Sequence, residues 1–322
     1  MPIRSIGPMP GLTAGWDRLR LRLASTAPPL YSPPPSPTTP PAPAAATDCE
    51  ICRGPVRPGF ARCYQCARHD LLGHGLLADA VVPVSYSIRG TAFAGDLWRY
   101  KWPRAPDAAA RASVLALLLV FLADHGACVW RHAGMPPPGR LAVVPAGSGR
   151  PHPHPLLQLV TPCLRLPICP LAIRPGRQGR GLDLDRFRAD RIPVGASVLL
   201  LDDTWVSGAS AQSAAAALKR AGARHVAVVV LGRHVNPDDP AAARLLADLA
   251  PARYDPSACA VHRGPGPVGH RARLWGASDS AHAGVATWLK SPCRAADAGG
   301  RPPATQLAWS PPSGISPANS SA

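Results

Sequence analysis

The sequence predicts an α/β protein, a doubly wound parallel sheet preceded by a small four-cysteine module. Three observations carry this expectation. Residues 198–201 and, after His225, 226–231 are continuous apolar runs, the pattern of strands covered on both faces of a parallel sheet. Segments of helical length alternate with them: 107–126, 211–221 and 240–250; that alternation argues for crossover connections. Four cysteines fall in two Cys-x-x-Cys hooks, Cys49 with Cys52 and Cys63 with Cys66.

Before the first hook the chain carries no signal of packed structure. Forty-one of its 322 residues are proline, more than twice the usual share of about 5%, and many crowd residues 25–46 among Ser, Thr and Ala. Such a stretch buries too little apolar surface to offset the entropy of ordering, so residues 1–47 are expected to be a disordered segment. The alternating Arg and Leu of residues 16–23 read equally as a short strand, a weak transit peptide or an over-extended start, and no function is assigned to them.

The hooks come next, expected as a module over residues 48–70. Each places two thiolates on one ion, and together Cys49, Cys52, Cys63 and Cys66 complete a tetrahedral set. With all four positions filled by protein, the expected ion is a structural Zn2+. The other five cysteines are isolated and are expected as small buried hydrophobes. With no recognisable secretion signal, they point to a reducing, cytoplasmic setting.

An α/β domain is expected over residues 80–256. Asp107 is a fair N-cap for the helix that follows, and Pro240 suits the first turn of the last one. The longest apolar stretch, 114–123, falls short of a bilayer's thickness, so no membrane span is expected. Residues 257–322 lose periodicity and are expected as a weakly structured to disordered tail. The formal net charge of +16 comes from 35 basic residues, only three of them lysine. It fits both an arginine-rich codon bias and a surface that draws in phosphates.

The segment with most chemical content runs from 197 to 222. A buried strand ends in Asp202 and Asp203, followed by Val206, Ser207, Gly208, Ala209 and Ser210 and then a helix. A small-residue loop entering a helix N-terminus offers amides, hydroxyls and the positive end of the dipole to a phosphate. Two carboxylates would repel a bare polyphosphate, so the pairing suits a ligand with both a phosphate and a diol: a ribose 5-phosphate.

These residues resemble the phosphoribosyl diphosphate (PRPP) motif of type I phosphoribosyltransferases. The order of the four-cysteine module, 84–90, 97–101, 141–145 and the acidic pair is similar to the competence-associated, amidophosphoribosyltransferase-like ComF family, over roughly residues 48–235. The resemblance implies the type I phosphoribosyltransferase fold. It implies that Asp202 and Asp203 take the ribose diol and that Val206, Ser207, Gly208, Ala209 and Ser210 cradle the 5-phosphate. It further implies that Pro145, Ala146, Gly147 and Arg150, with Lys101, face diphosphate carried by Mg2+. The activity implied is displacement of diphosphate from ribose C1 by a nitrogen acceptor. Val206 stands where the family usually has a hydroxyl residue, Trp205 where it has a small aliphatic, and Pro-His repeats at 151–155 replace its Arg-Gly-Phe-Asn stretch. A second expectation, from another class, is a single-stranded DNA-handling protein, with Trp98 and Trp102 as stacking faces among cations.

Overall fold

The computed structural model describes residues 23, 46–102, 107–146, 154–177, 179–249, 254 and 259–261. Nearly all of the expected N-terminal segment and C-terminal tail, together with Gly147 and Arg150, lie outside them. In chain order the elements are α1 (Tyr64–Leu72), β1 (Ala80–Ile88), α2 (Ala92–Arg99), α3 (Ala108–His132), β2 (Arg140–Val143) and α4 (Pro155–Val160). Then come β3 (Leu171–Ile173), β4 (Phe187–Ala189), β5 (Ala196–Trp205), α5 (Ala209–Arg220), β6 (Ala223–Val235) and α6 (Ala242–Leu249).

Four strands form one sheet in the order β1-β6-β5-β2, and every neighbouring pair is parallel. Strands β3 and β4 make a separate antiparallel pair. Because successive strand residues point to opposite faces, the central strands feed two cores. Leu199, Leu201, Val229 and Leu231 face α2, α3 and α4. Val198, Leu200, Val228 and Val230 face the alanine-rich side of α5. Burial on both faces explains why these strands read as unbroken apolar runs.

The cysteine module does not stand apart from the sheet. Cys49, Cys52, Val56 and Cys66 are buried in the same core as α5 and the second face of the sheet.

Several expected boundaries move outward. Strand β5 continues through the acidic pair to Trp205, and β6 runs from Ala223 to Val235, because parallel pairing with a neighbour sustains strand geometry beyond the apolar run. Helix α5 begins at Ala209. Asp107 caps α3 as expected, accepting from the amides of Ala109 and Ala110. That helix reaches 25 residues and is apolar enough to cross a membrane, so the length argument against a span does not hold for it. Instead, 72% of its apolar window is buried inside the protein, against β1, β6 and α2. Cys163, expected as a lone thiol, is disulfide-bonded.

Candidate functional site

At the carboxyl ends of β5 and β2 lies a cleft of about 1490 Å3, the edge at which open α/β sheets bind ligands. It contains Asp202, Asp203, residues 206–210, Pro145, Ala146 and Lys101. The residues expected to bind the ribose phosphate and diphosphate, except the undescribed Gly147 and Arg150, therefore line one cleft, while the four cysteines lie outside it. Six Arg and Lys side chains line it against the two carboxylates, which favours an anionic occupant.

The strand alternation separates the two acids. Asp203 shares the parity of Leu199 and Leu201 and points to the α2–α3 side. There the Tyr100 hydroxyl donates to it at 2.5 Å and the Lys101 ammonium at 3.0 Å, and His154 Nε2 lies 3.6 Å away. Burial resists ionisation of Asp203, but Lys101, His154 and the Tyr100 hydrogen bond outweigh it and hold the carboxyl down at about 2. Asp202, half-buried on the other side, is pushed up to about 7 by burial and by the charge of Asp203.

The pair thus divides its work. Asp203 is engaged in holding Lys101, so Asp202 is the carboxylate better placed for a ligand. Lys101, expected to face diphosphate, is likewise committed to an ion pair.

These shifts carry a sign. A raised carboxyl pKa means that the folded protein keeps a proton the unfolded chain releases, so the Asp202 contribution to stability falls as pH rises from about 4 to 7. The depressed Asp203 acts oppositely: its contribution is complete above about 4 and is lost as pH falls through 2. Asp202→Asn is therefore expected to flatten the stability profile between pH 4 and 7, as read by urea denaturation at a series of pH values. An unchanged slope in that variant would assign it to other groups.

The loop after β5 is shaped by the packing of Trp205. Trp205 is fully buried, and its ring lies 2.0 Å from where a Cβ on Gly208 would stand. Gly208 also has φ +80°, where side chains are strained. Gly208→Ala is expected to cost about 2–5 kcal/mol from backbone strain and overpacking together, measured by chemical denaturation. Val206 is exposed.

No side chain caps α5 at Gly208, and Ser207 Oγ accepts from the Ala209 amide at 3.3 Å. The turn that enters β4 adds a residue that the sequence did not single out. Buried Arg186 donates to Ser210 Oγ at 3.1 Å and to the Gly181 carbonyl, and its Nε has no partner. A guanidinium with a spare donor thus stands beside the first turn of α5, where the helix dipole already favours an anion.

His154 is the second missed residue. Its Nδ1 accepts from the Leu156 amide at 3.0 Å as the N-cap of α4, which places the neutral ring's proton on Nε2, toward Asp203. At the cleft's rim Trp98 and Trp102 are both exposed, their rings 4.0 Å apart and tilted by 52°.

Behind the loop stands the cysteine cluster. The ligand atoms of Cys49, Cys52, Cys63 and Cys66 all lie within 4.8 Å of one another, and Cys52 Sγ is 3.8 Å from Cys63 Sγ. A tetrahedron with Zn–S bonds of about 2.3 Å has edges of about 3.8 Å, so the spacing fits a zinc ion. Hydrogen bonds among the four sulfurs push Cys49 and Cys66 up and Cys52 and Cys63 down. Four thiolates crowded this closely need a cation to ionise together.

Buried Arg233 links this cluster to the loop. It donates to the carbonyls of Trp205 at 3.0 Å and Val206 at 3.2 Å. Burial disfavours its charge, yet the sulfurs of Cys52, Cys63 and Cys66 more than restore it. Its guanidinium packs so closely on Gly54 that a Cβ there would meet it at 1.9 Å.

No protein-family model, curated protein or solved structure matches this chain.

Proposed function

We propose that this chain is a PRPP-binding protein of the type I phosphoribosyltransferase fold, related to the ComF family, with a structural zinc in the cysteine quartet. The observation that carries the reading is the meeting of a carboxylate and a phosphate cradle in one cleft. Asp202 provides an acceptor for ribose hydroxyls. The uncapped start of α5, Ser207, Ser210 and Arg186 provide donors for a 5-phosphate. The parallel sheet, with its acids at the carboxyl end of an inner strand, agrees with that fold.

The reaction proposed is displacement of diphosphate from C1 by a nitrogen nucleophile. Lys101, held by Asp203, contributes positive potential as charge grows on the departing diphosphate. Pro145 and Ala146, at the end of β2, form the described part of the diphosphate-facing loop. Mg2+ would arrive with PRPP to neutralise the diphosphate, and Asp202 is the carboxylate available to it.

The test separates the two halves of the ligand. Ribose 5-phosphate should bind at least tenfold more tightly than either inorganic phosphate or ribose, and Arg186→Met should remove most of the phosphate-dependent gain. Equal affinity for ribose 5-phosphate and phosphate would remove the diol from the reading.

A second reading, single-stranded DNA binding, rests on the exposed Trp98–Trp102 pair beside the basic cleft. It requires salt-sensitive retardation of a single strand that is lost in the Trp98→Ala, Trp102→Ala variant.

A further inference from the structure

We propose that His125, Cys128 and Cys259 form a second zinc site, separate from the cysteine quartet and from the cleft. Their ligand atoms lie within 4.8 Å of one another. His125 and Cys128 are three residues apart on α3, which places them on the same helix face, while Cys259 comes from a segment 131 positions later in the chain. Neither cysteine is disulfide-bonded.

The segment that brings Cys259 is held by more than packing. Cys259 and Ala260 are buried in the α3 core, and the Ala260 carbonyl accepts from the buried Arg53 guanidinium at 3.1 Å. Arg53 is itself fixed in the first hook. Its amide donates to Cys49, its side chain pairs with Asp48 at 3.3 Å, and its carbonyl accepts from the Tyr86 hydroxyl at 2.7 Å. Cys259 therefore reaches α3 in a defined position.

Two thiolates and an imidazole are soft and borderline donors suited to zinc. Binding of Zn2+ would release two thiol protons, and two thiolates, a neutral imidazole and Zn2+ sum to zero charge. Such a site can be buried without an accompanying cation, whereas a Zn2+ on four thiolates carries −2 and has Arg233 beside it. His125 and Cys259 are buried and Cys128 is only half-buried, so solvent reaches the cluster at Cys128. Occupancy would clamp the C-terminal segment onto α3.

The full chain, purified under reducing conditions without chelator, is expected to contain two zinc equivalents by inductively coupled plasma mass spectrometry. Cys128→Ser and His125→Asn should each reduce this to one, with native mass spectrometry showing the remaining ion on folded protein. In a cobalt-substituted sample, Cys128→Ser should weaken the thiolate-to-metal absorption without abolishing it, because the quartet still contributes. One equivalent in the wild type, two in both variants, or a Cys128–Cys259 disulfide in reduced protein would overturn the proposal.

Discussion

The Asp202→Asn, Asp203→Asn double variant is expected to bind ribose 5-phosphate at least 100-fold more weakly than the wild type. Hydrogen bonds to charged groups contribute about 1.5–3 kcal/mol each, so losing the charged acceptor and the support of Lys101 together costs two orders of magnitude or more. The single variants should separate two roles. Asp202→Asn removes the half-buried ligand-facing carboxyl, only partly ionised at pH 7, and should weaken binding about tenfold with no loss of stability there. Asp203→Ala should instead destabilise the fold by about 3–5 kcal/mol, since it leaves half-buried Lys101 without its ion-pair partner and the Tyr100 hydroxyl without its acceptor. Calorimetry for binding and urea denaturation for stability distinguish them; equal effects from the two single variants would contradict the division of labour.

Stripping metal from the cysteine quartet should have the largest effect on stability. Structural zinc contributes about 10–16 kcal/mol of apparent folding energy in small zinc peptides, while whole domains are stable by only about 5–15 kcal/mol. Here the quartet shares a core with α5 and the sheet, so its loss should propagate into the domain. It should also reach the ligand. Without thiolates behind it, Arg233 becomes a buried, uncompensated cation at the carbonyls of Trp205 and Val206, and the loop between β5 and α5 should loosen. Prolonged chelation is expected to lower the thermal midpoint by more than 10 °C and to abolish ribose 5-phosphate binding, both restored by zinc. Chelation that leaves the midpoint unchanged would show that the quartet needs no ion.

Much of this arrangement was legible in the sequence because it depends on local pattern. Val198 to Leu201 announced a strand covered on both sides, and the two hooks announced four sulfurs close enough to share one ion. The aspartates and the small-residue loop announced the residues that line the cleft at the sheet's carboxyl edge. What stayed hidden depends on contacts between distant segments. Tyr100 and His154 meet Asp203 from α2 and α4, across roughly 100 and 50 positions of chain. Arg186 reaches Ser210 from the turn entering β4, a strand of only three residues, too short for periodicity to register. That the Trp205 ring fills the space beneath Gly208 and demands glycine there depends on the packing of the turn and is not readable from the residue types alone. The paired acids read as equivalent in sequence, yet strand alternation sends them to opposite sides.

The most direct test of the central claim is a calorimetric titration of the full, zinc-replete chain with PRPP in the presence of Mg2+, alongside the Asp202→Asn, Asp203→Asn variant. A single saturable site per chain in the wild type, at least 100-fold weaker in the variant, is the predicted result. No binding by the folded wild type, or binding that the variant retains in full, would contradict it.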